Sequence, residues 1–263
     1  MNHTDKVLLS TLYRTYAPSG NERNMRSVVR IALAGIRQRC SISPEGVVYR
    51  LEPGKPLVCA HMDQIGISPC VRVEFETDGE PIVKGFDAAG KQTNLGADDK
   101  NGIFIALKLI QSFGKDINFI FSVEEEIGGV CREFLQGFSK ERTNSIPYGL
   151  IFDRRGGGDV IGTNNAYCEE DFEDAVLDIA KNFGYRRSTG TFSDGDHVSE
   201  FIPCVNLSCG YYNAHTAREH TVLPELENAV NLGHALIKGL GTRSFKRPES
   251  MPASWWWKDE YYG

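Results

Sequence analysis

Two adjacent carboxylates, Asp98 and Asp99, stand in the glycine-flanked segment NLGADDKNG at Asn94–Gly102, directly before the apolar run Ile103–Ile110. Like charges side by side cost free energy unless something positive compensates them. Lys100 alone is a weak compensator, whereas a metal ion, or two ions sharing one carboxylate, is a strong one. The simpler reading is a helix N-cap, because aspartate is favoured there and acids suit the positive end of a helix.

Four further places in the chain carry residues of the same kind. His61-Met62-Asp63 follows the apolar strand-like stretch Pro56–Ala60. Residues two apart in an extended segment point the same way, so Asp63 can brace the ring of His61 and fix its tautomer. A buried histidine–aspartate bond without metal satisfies the same pattern. Glu124–Glu126 ends the apolar stretch Ile117–Val123. A solvated charge run is the simpler account. Alternatively, neighbouring carboxylates at a strand end diverge, so one binds a cation while the other faces water as a base. Asp153 ends Tyr148–Phe152, and His215 lies in the loop GYYNAHTAREH after Cys204–Ser208. Asp153 alone reads as a turn acid paired with arginine, and His215 alone as a surface histidine.

Together they supply two imidazoles and three carboxylates. Zinc takes such ligands in catalytic sites and keeps a position for water. His, bridging Asp, Asp, Glu and His give each of two ions three protein ligands, with room for a shared water.

The elements that must position them alternate. Helical spacing marks Lys6–Tyr13, Asn24–Ile36, Val130–Phe138, Tyr167–Phe183 and Pro224–Leu240. Val71–Phe75 and Pro81–Lys84 flank Asp78-Gly79 as a hairpin. Ile42–Leu51 is extended with a turn at Pro44–Gly46, Thr189–Phe192 reads as a strand, and Ser193–His197 reads as a polar loop. Strands alternating with helices predict an α/β sheet covered on both faces, whose ligands gather at the carboxyl ends of the strands.

The order HxD at His61–Asp63, GADDKxG at Gly96–Gly102, EEIG at Glu125–Gly128, Asp153 and NxHT at Asn213–Thr216 resembles the co-catalytic zinc exopeptidase superfamily. This superfamily includes tripeptide aminopeptidase, glutamyl aminopeptidase and aminoacylase. The similarity runs from SGNE at Ser19–Glu22 to the helix after His215. It implies a three-layer αβα sandwich with a mixed, mostly parallel central sheet. It implies two Zn²⁺, with Co²⁺ or Mn²⁺ as substitutes. His61 and Asp153 would bind one ion and Glu126 and His215 the other, with Asp98 between them. Glu125 would be the general base and then the acid, and Asp63 the partner of His61. Glu124 would lie outside the motif. A cis peptide would fall at Asp98–Asp99.

Many relatives insert a lid or dimerisation domain. Here the interval from His61 to Asp98 holds only the hairpin, and the interval from Asp153 to His215 is filled by a helix, a strand and the SDGDH loop. One catalytic domain over 1–263 without a lid is therefore expected. Ser193–His197 loosely matches a loop of the single-domain relatives. Asp194, Asp196, Arg154, Arg155, Tyr211 and Tyr212 are candidates for the substrate pocket. The reaction implied is removal of N-terminal residues from peptides. A deacylase of N-acyl amino acids or small amides uses the same ligands, and a non-catalytic, metal-stabilised binding protein is the third reading.

Composition narrows the partners. Within 263 residues, 41% hydrophobic, a substantial core can be buried. The net charge of −6 offers no basic surface for nucleic acid. No apolar run approaches the roughly 20 residues that span a bilayer. The start, MNHTDKVLLS, lacks the features of a secretory signal. Seven cysteines of irregular spacing argue against a disulfide framework. Cys59, Cys131, Cys204 and Cys209 read as buried thiols, and a cytoplasmic location follows as the expectation. A homo-oligomer is compatible with this composition. The aromatic tail Gly241–Gly263, with Trp255–Trp257, is expected to pack on the core or to cover a sheet edge or partner.

Overall fold

A computed structural model describes residues 1–248. The expectation for Trp255–Trp257 therefore lies outside the described residues. The centre is an eight-stranded sheet in the order Ser41–Ile42, Val48–Arg50, Asn118–Ser122, Leu57–His61, Gly149–Arg154, Cys204–Ser208, Asp159–Ile161, Arg186–Ser188. The four middle strands run parallel, while Val48–Arg50 and Asp159–Ile161 join antiparallel. This is the sheet flanked by helices that the alternation of elements predicts, with the mixed, mostly parallel strand directions that the resemblance implies.

The middle strands are apolar for a physical reason. Leu57–His61, Asn118–Ser122 and Cys204–Ser208 are buried at every position. A parallel strand covered on both faces needs a continuous apolar run rather than an alternating one. The long helix Ala97–Phe113 packs on Leu57–His61 and Gly149–Arg154, and Leu223–Leu240 packs on that helix in turn. The apolar residues form one contiguous core, with Leu9, Met25, Phe119, Phe152 and Leu232 all at 0% exposure.

A second sheet orders Tyr211–Tyr212, His220–Val222, Ile82–Phe86 and Arg72–Glu76, and Gln92–Thr93 pairs with Ile82–Phe86. The expected hairpin forms, with Phe75 opposite Val83. Its partner, His220–Val222, comes from the loop after His215 and ties that loop to the hairpin.

Several local expectations are corrected. Thr189–Phe192 is not a strand; the strand is Arg186–Ser188, an edge whose first two residues are exposed. Ser193–His197 is not a loop. Asp194–Val198 is a short helix, opened by a capping box in which Ser193 Oγ accepts from the Gly195 N–H and Asp196 accepts the Ser193 N–H at 2.9 Å. The helix expected over Tyr167–Phe183 is shorter, at Glu170–Ala180, before one 3₁₀ turn. All seven cysteines are free, and the four expected to be buried are at 0% exposure.

Candidate active site

Three parallel strands deliver their carboxyl ends to one edge. His61 pairs in register with Ser122, two residues before Glu124, and Cys59 pairs with Ile151, two residues before Asp153. The helix bearing Asp98 packs across the same strands. Residues far apart in sequence therefore meet at that edge.

Asp98 sits in the middle. Its Oδ1 is 3.2 Å from His61 Nε2, and its Oδ2 is 3.3 Å from His215 Nε2. His61 Nε2 also lies 3.5 Å from Asp153 Oδ1 and 3.8 Å from Glu125 Oε2. His215 Nε2 lies 2.8 Å from Glu126 Oε2. All five candidate metal ligands converge, two on each side of the shared Asp98 carboxylate. His61, Asp98 and Glu126 offer donor atoms within 4.8 Å of one another, as do His61, Asp99 and Asp153.

The backbone here departs from a regular helix. Gly96 takes φ 62°, and Asp98 and Asp99 depart from helical angles although they lie inside Ala97–Phe113. The Asp98–Asp99 peptide is cis. The capping reading holds for one of the pair: Asp99 Oδ1 accepts the Gly102 N–H at 2.9 Å. It does not describe Asp98, whose carboxylate faces the imidazoles. Lys100 does not compensate the pair. Its buried Nζ donates to Leu95 O at 2.7 Å, Gln64 Oε1 at 2.5 Å and Tyr13 O at 3.3 Å.

Supporting contacts fix the ligands. Asp63 Oδ1 lies 3.3 Å from His61 Nδ1. The same carboxylate accepts the N–H of Glu125 at 3.0 Å, the N–H of Glu126 at 3.1 Å and the hydroxyl of Ser19 at 2.7 Å. Glu219, which the sequence reading did not single out, is 1% exposed and accepts the N–H groups of Ala97 and Asp98 at 3.1 and 3.4 Å. Its place within AREHT, three residues before a strand end, gave no warning of this. Asn206 Oδ1 accepts the Asp153 N–H at 3.0 Å, and the Tyr211 hydroxyl donates to Asp153 O at 3.2 Å.

The pocket candidates divide. Arg154 pairs with Asp159 at 3.0 Å, Asp196 accepts the Tyr167 hydroxyl at 2.6 Å, and Tyr212 donates to Glu225 at 2.9 Å. Asp194 is buried and bonded to Ser122. Asp194, Asp196 and Tyr212 serve internal packing. Arg155 and Tyr211, with Arg154 beside them, line a cleft of about 330 Å³ that also reaches Asp98, Asp153, Phe192 and His215.

Electrostatics test whether cations fit. Burial, joined by Asp153, Asp194 and Asp98 and only partly offset by His61, pushes Glu125 up to about 10. Burial likewise raises Asp153 and Asp99. For Asp98 burial pushes upward, but hydrogen bonds from His215 and His61 outweigh it and hold the carboxyl well below its ordinary value. Hydrogen bonds to Asp98 and Glu126 raise His215 to about 10. More carboxyl groups are buried together here than two imidazoles could neutralise if all were ionised, so without cations Glu125, Asp153 and Asp99 hold their protons. Nitrogen and oxygen donors around an electron-rich pocket suit one or two divalent cations.

No protein-family model matches this chain, and no curated protein matches it. Solved structures do. The fold is shared with aminopeptidases. Aminopeptidase PepT from Bacillus cereus superposes with a TM-score of 0.70 at 14% identity, covering 90% of this chain and 98% of that one. An aminopeptidase from the archaeon Desulfurococcus kamchatkensis gives 0.66 at 18%, covering 94% and 99%. A Thermotoga maritima protein described as an endoglucanase gives 0.58 at 15%, covering 89% and 97%. At such identities the likeness establishes the architecture, and the chemistry rests on the side chains above. Among the described residues no helix is long and apolar enough to cross a membrane.

Proposed function

We propose that this chain is a metal-dependent exopeptidase of the co-catalytic zinc type, most directly an aminopeptidase, built as one catalytic unit without a lid domain. One observation carries the reading. Asp98 turns one oxygen to each imidazole, and Glu125 stands beside the pair without being needed as a ligand. His61 and Asp153 would hold one zinc, Glu126 and His215 the second, and Asp98 both.

When bound, the two ions supply Lewis acidity at the scissile carbonyl and lower the pKa of the attacking water. Glu125, its raised carboxyl lowered by the charge of the ions beside it and so freed as a base, accepts the proton of that water and delivers it to the departing amine nitrogen. The bond between carbonyl carbon and nitrogen breaks, leaving a carboxylate and a free amine. Asp63 holds the His61 ring and, through the Glu125 and Glu126 amides, the turn that bears the base. Arg155, Phe192 and Tyr211 border the cleft where the substrate would lie.

The amide-bond reading is favoured over glycosidic cleavage by the two imidazoles that flank the Asp98 carboxylate, a donor set suited to cations that a carboxylate acid–base pair does not need. Glycosidases place two carboxyl groups on opposite sides of a sugar bond. The test is a panel of aminoacyl-anilides, tripeptides, N-acetyl amino acids and cello-oligosaccharides, run with zinc or cobalt and after chelation. Metal-dependent release from free-amine substrates supports the proposal. Turnover confined to N-acetyl amino acids would move it to deacylation, and turnover confined to the sugars would overturn it.

A further inference from the structure

A second group of metal-type donors converges a short distance from the carboxylates, on residues that the hydrolytic reading leaves unused. Cys59 lies in the strand Leu57–His61, Cys131 opens the helix Cys131–Gln136, and Asp194 opens the helix Asp194–Val198. Both sulfur atoms and a carboxylate oxygen of Asp194 lie within 4.8 Å of one another. All three residues are at most 1% exposed, and both thiols are free.

The hydrogen bonding around this cluster is incomplete. Asp194 Oδ2 accepts the Ser122 hydroxyl, but Oδ1 is buried and has no hydrogen-bond partner. His197, in the same short helix, brings Nδ1 to 4.0 Å from that oxygen, and this nitrogen is likewise buried without a hydrogen-bond partner. Buried polar atoms in native proteins are nearly always satisfied, so two orphans facing each other, one of them on the carboxylate that stands beside two thiols, call for something between them. The spacing suits a cation. With zinc–sulfur bonds of about 2.3 Å, two thiolates of a tetrahedral site stand roughly 3.8 Å apart.

We propose that Cys59, Cys131, Asp194 and His197 form a separate site for a thiophilic divalent cation such as zinc. On binding, each thiol releases its proton to solvent, and the cation is held by two thiolates, the Asp194 carboxylate and the neutral imidazole of His197. Cys59, Cys131 and Asp194 already stand together, and the His197 side chain, 4.0 Å from Asp194 Oδ1, would turn in as the fourth donor and close the coordination sphere, as in structural rather than catalytic zinc sites. Thiolates set this site apart from the nitrogen and oxygen ligands of the neighbouring pair. The ion would join three elements: the strand that ends in His61, the helix that follows the Glu125–Ile127 turn, and the helix after Ser193. The proposal does not depend on the hydrolytic reading.

The test is cobalt(II) titration of the full chain, reduced with a phosphine, read by the thiolate-to-cobalt charge-transfer band. The candidate ligands of the carboxylate pair include no sulfur, so the band reports this site. Cys209 Sγ approaches Asp99 Oδ1 at 4.0 Å, and Cys209→Ser is the control for it. The expected result is a band of two-thiolate intensity that zinc displaces, that persists in Cys209→Ser and in Asp98→Asn, and that is lost in Cys131→Ser. His197→Gln, at a partly exposed position, keeps both sulfurs and should weaken cobalt binding. A featureless spectrum from the reduced wild-type chain would overturn the proposal whatever the variants do. So would a band that survives Cys131→Ser or disappears in Cys209→Ser.

Discussion

Asp63 Oδ1 accepts the backbone N–H of Glu125 at 3.0 Å while standing 3.3 Å from His61 Nδ1. One buried carboxylate therefore fixes both a metal-type ligand and the proposed base. Neutralising it changes the ring's orientation and the Glu125 turn together. Asp63→Asn is expected to lower kcat/KM and metal affinity by roughly 10–100-fold, the range for partners of metal ligands. Steady-state kinetics with chelator competition measures both. An unchanged affinity would remove Asp63 from the account.

Glu125 separates chemistry from binding. Glu125→Gln is expected to keep the metal content while cutting kcat by at least ~10²-fold, the lower range for a positioned general base. Full metal-dependent turnover by this variant would mean that the proton goes elsewhere.

Glu219 touches no candidate ligand side chain, yet it holds the Ala97 and Asp98 amides. Burial, reinforced by the Asp98 charge, raises its carboxyl to about 7. Glu219→Gln keeps one acceptor oxygen and is expected to weaken zinc binding within the same ~10–100-fold range without changing the number of ions bound. Isothermal titration reads both quantities, and an unaltered affinity contradicts the positioning role.

The metal-free chain should be least stable at high pH. Glu125 is raised to about 10, while its unfolded value is about 4.3. The folded chain keeps a proton there that the unfolded chain releases, so this contribution is complete below pH ~4 and lost as pH climbs toward 10. His215, raised to about 10 by Asp98 and Glu126, acts in the same direction above its ordinary value. Lys100, lowered to about 7 by burial, opposes them above pH 7. Net loss of Tm with rising pH is expected after chelation, with a shallower slope in Glu125→Gln. A Tm that rises from pH 5 to pH 9 in the chelated wild type contradicts this balance.

Gly102 tests the packing behind the acids. A Cβ there would collide with both Asp99 carboxylate oxygens and with the backbone oxygen of Phe152. The Phe152 oxygen belongs to a central strand and cannot swing aside. Gly102→Ala is expected to cost about 1–3 kcal/mol by denaturant titration, the usual range for overpacking. A neutral result would mean that the Asp99 turn is looser than described.

What the sequence disclosed follows from which signals are local. The strands ending in His61, Glu124–Glu126 and Asp153 were legible because burial on both faces demands unbroken apolar runs. The candidate ligands were legible because their types are unusual immediately after such runs. The edge strand Arg186–Ser188 was not, since its exposed side chains carry no apolar pattern. The helix Asp194–Val198 spans barely more than one turn, too short for periodicity, and only its Ser193–Asp196 capping pair could have announced it. Glu219 looked like one more charge in a polar loop. Its burial arises because His220–Val222 pairs with a hairpin far earlier in the chain, a long-range contact that no local pattern encodes.

The central claim is that Asp98 stands between two cations. Anomalous diffraction at the zinc edge from zinc-loaded crystals tests it most directly. Two peaks about 3.5–4 Å apart are expected, one among His61, Asp98 and Asp153 and the other among Asp98, Glu126 and His215. Density at that edge showing no peak beside Asp98, or a single ion that leaves either imidazole unliganded, would contradict it.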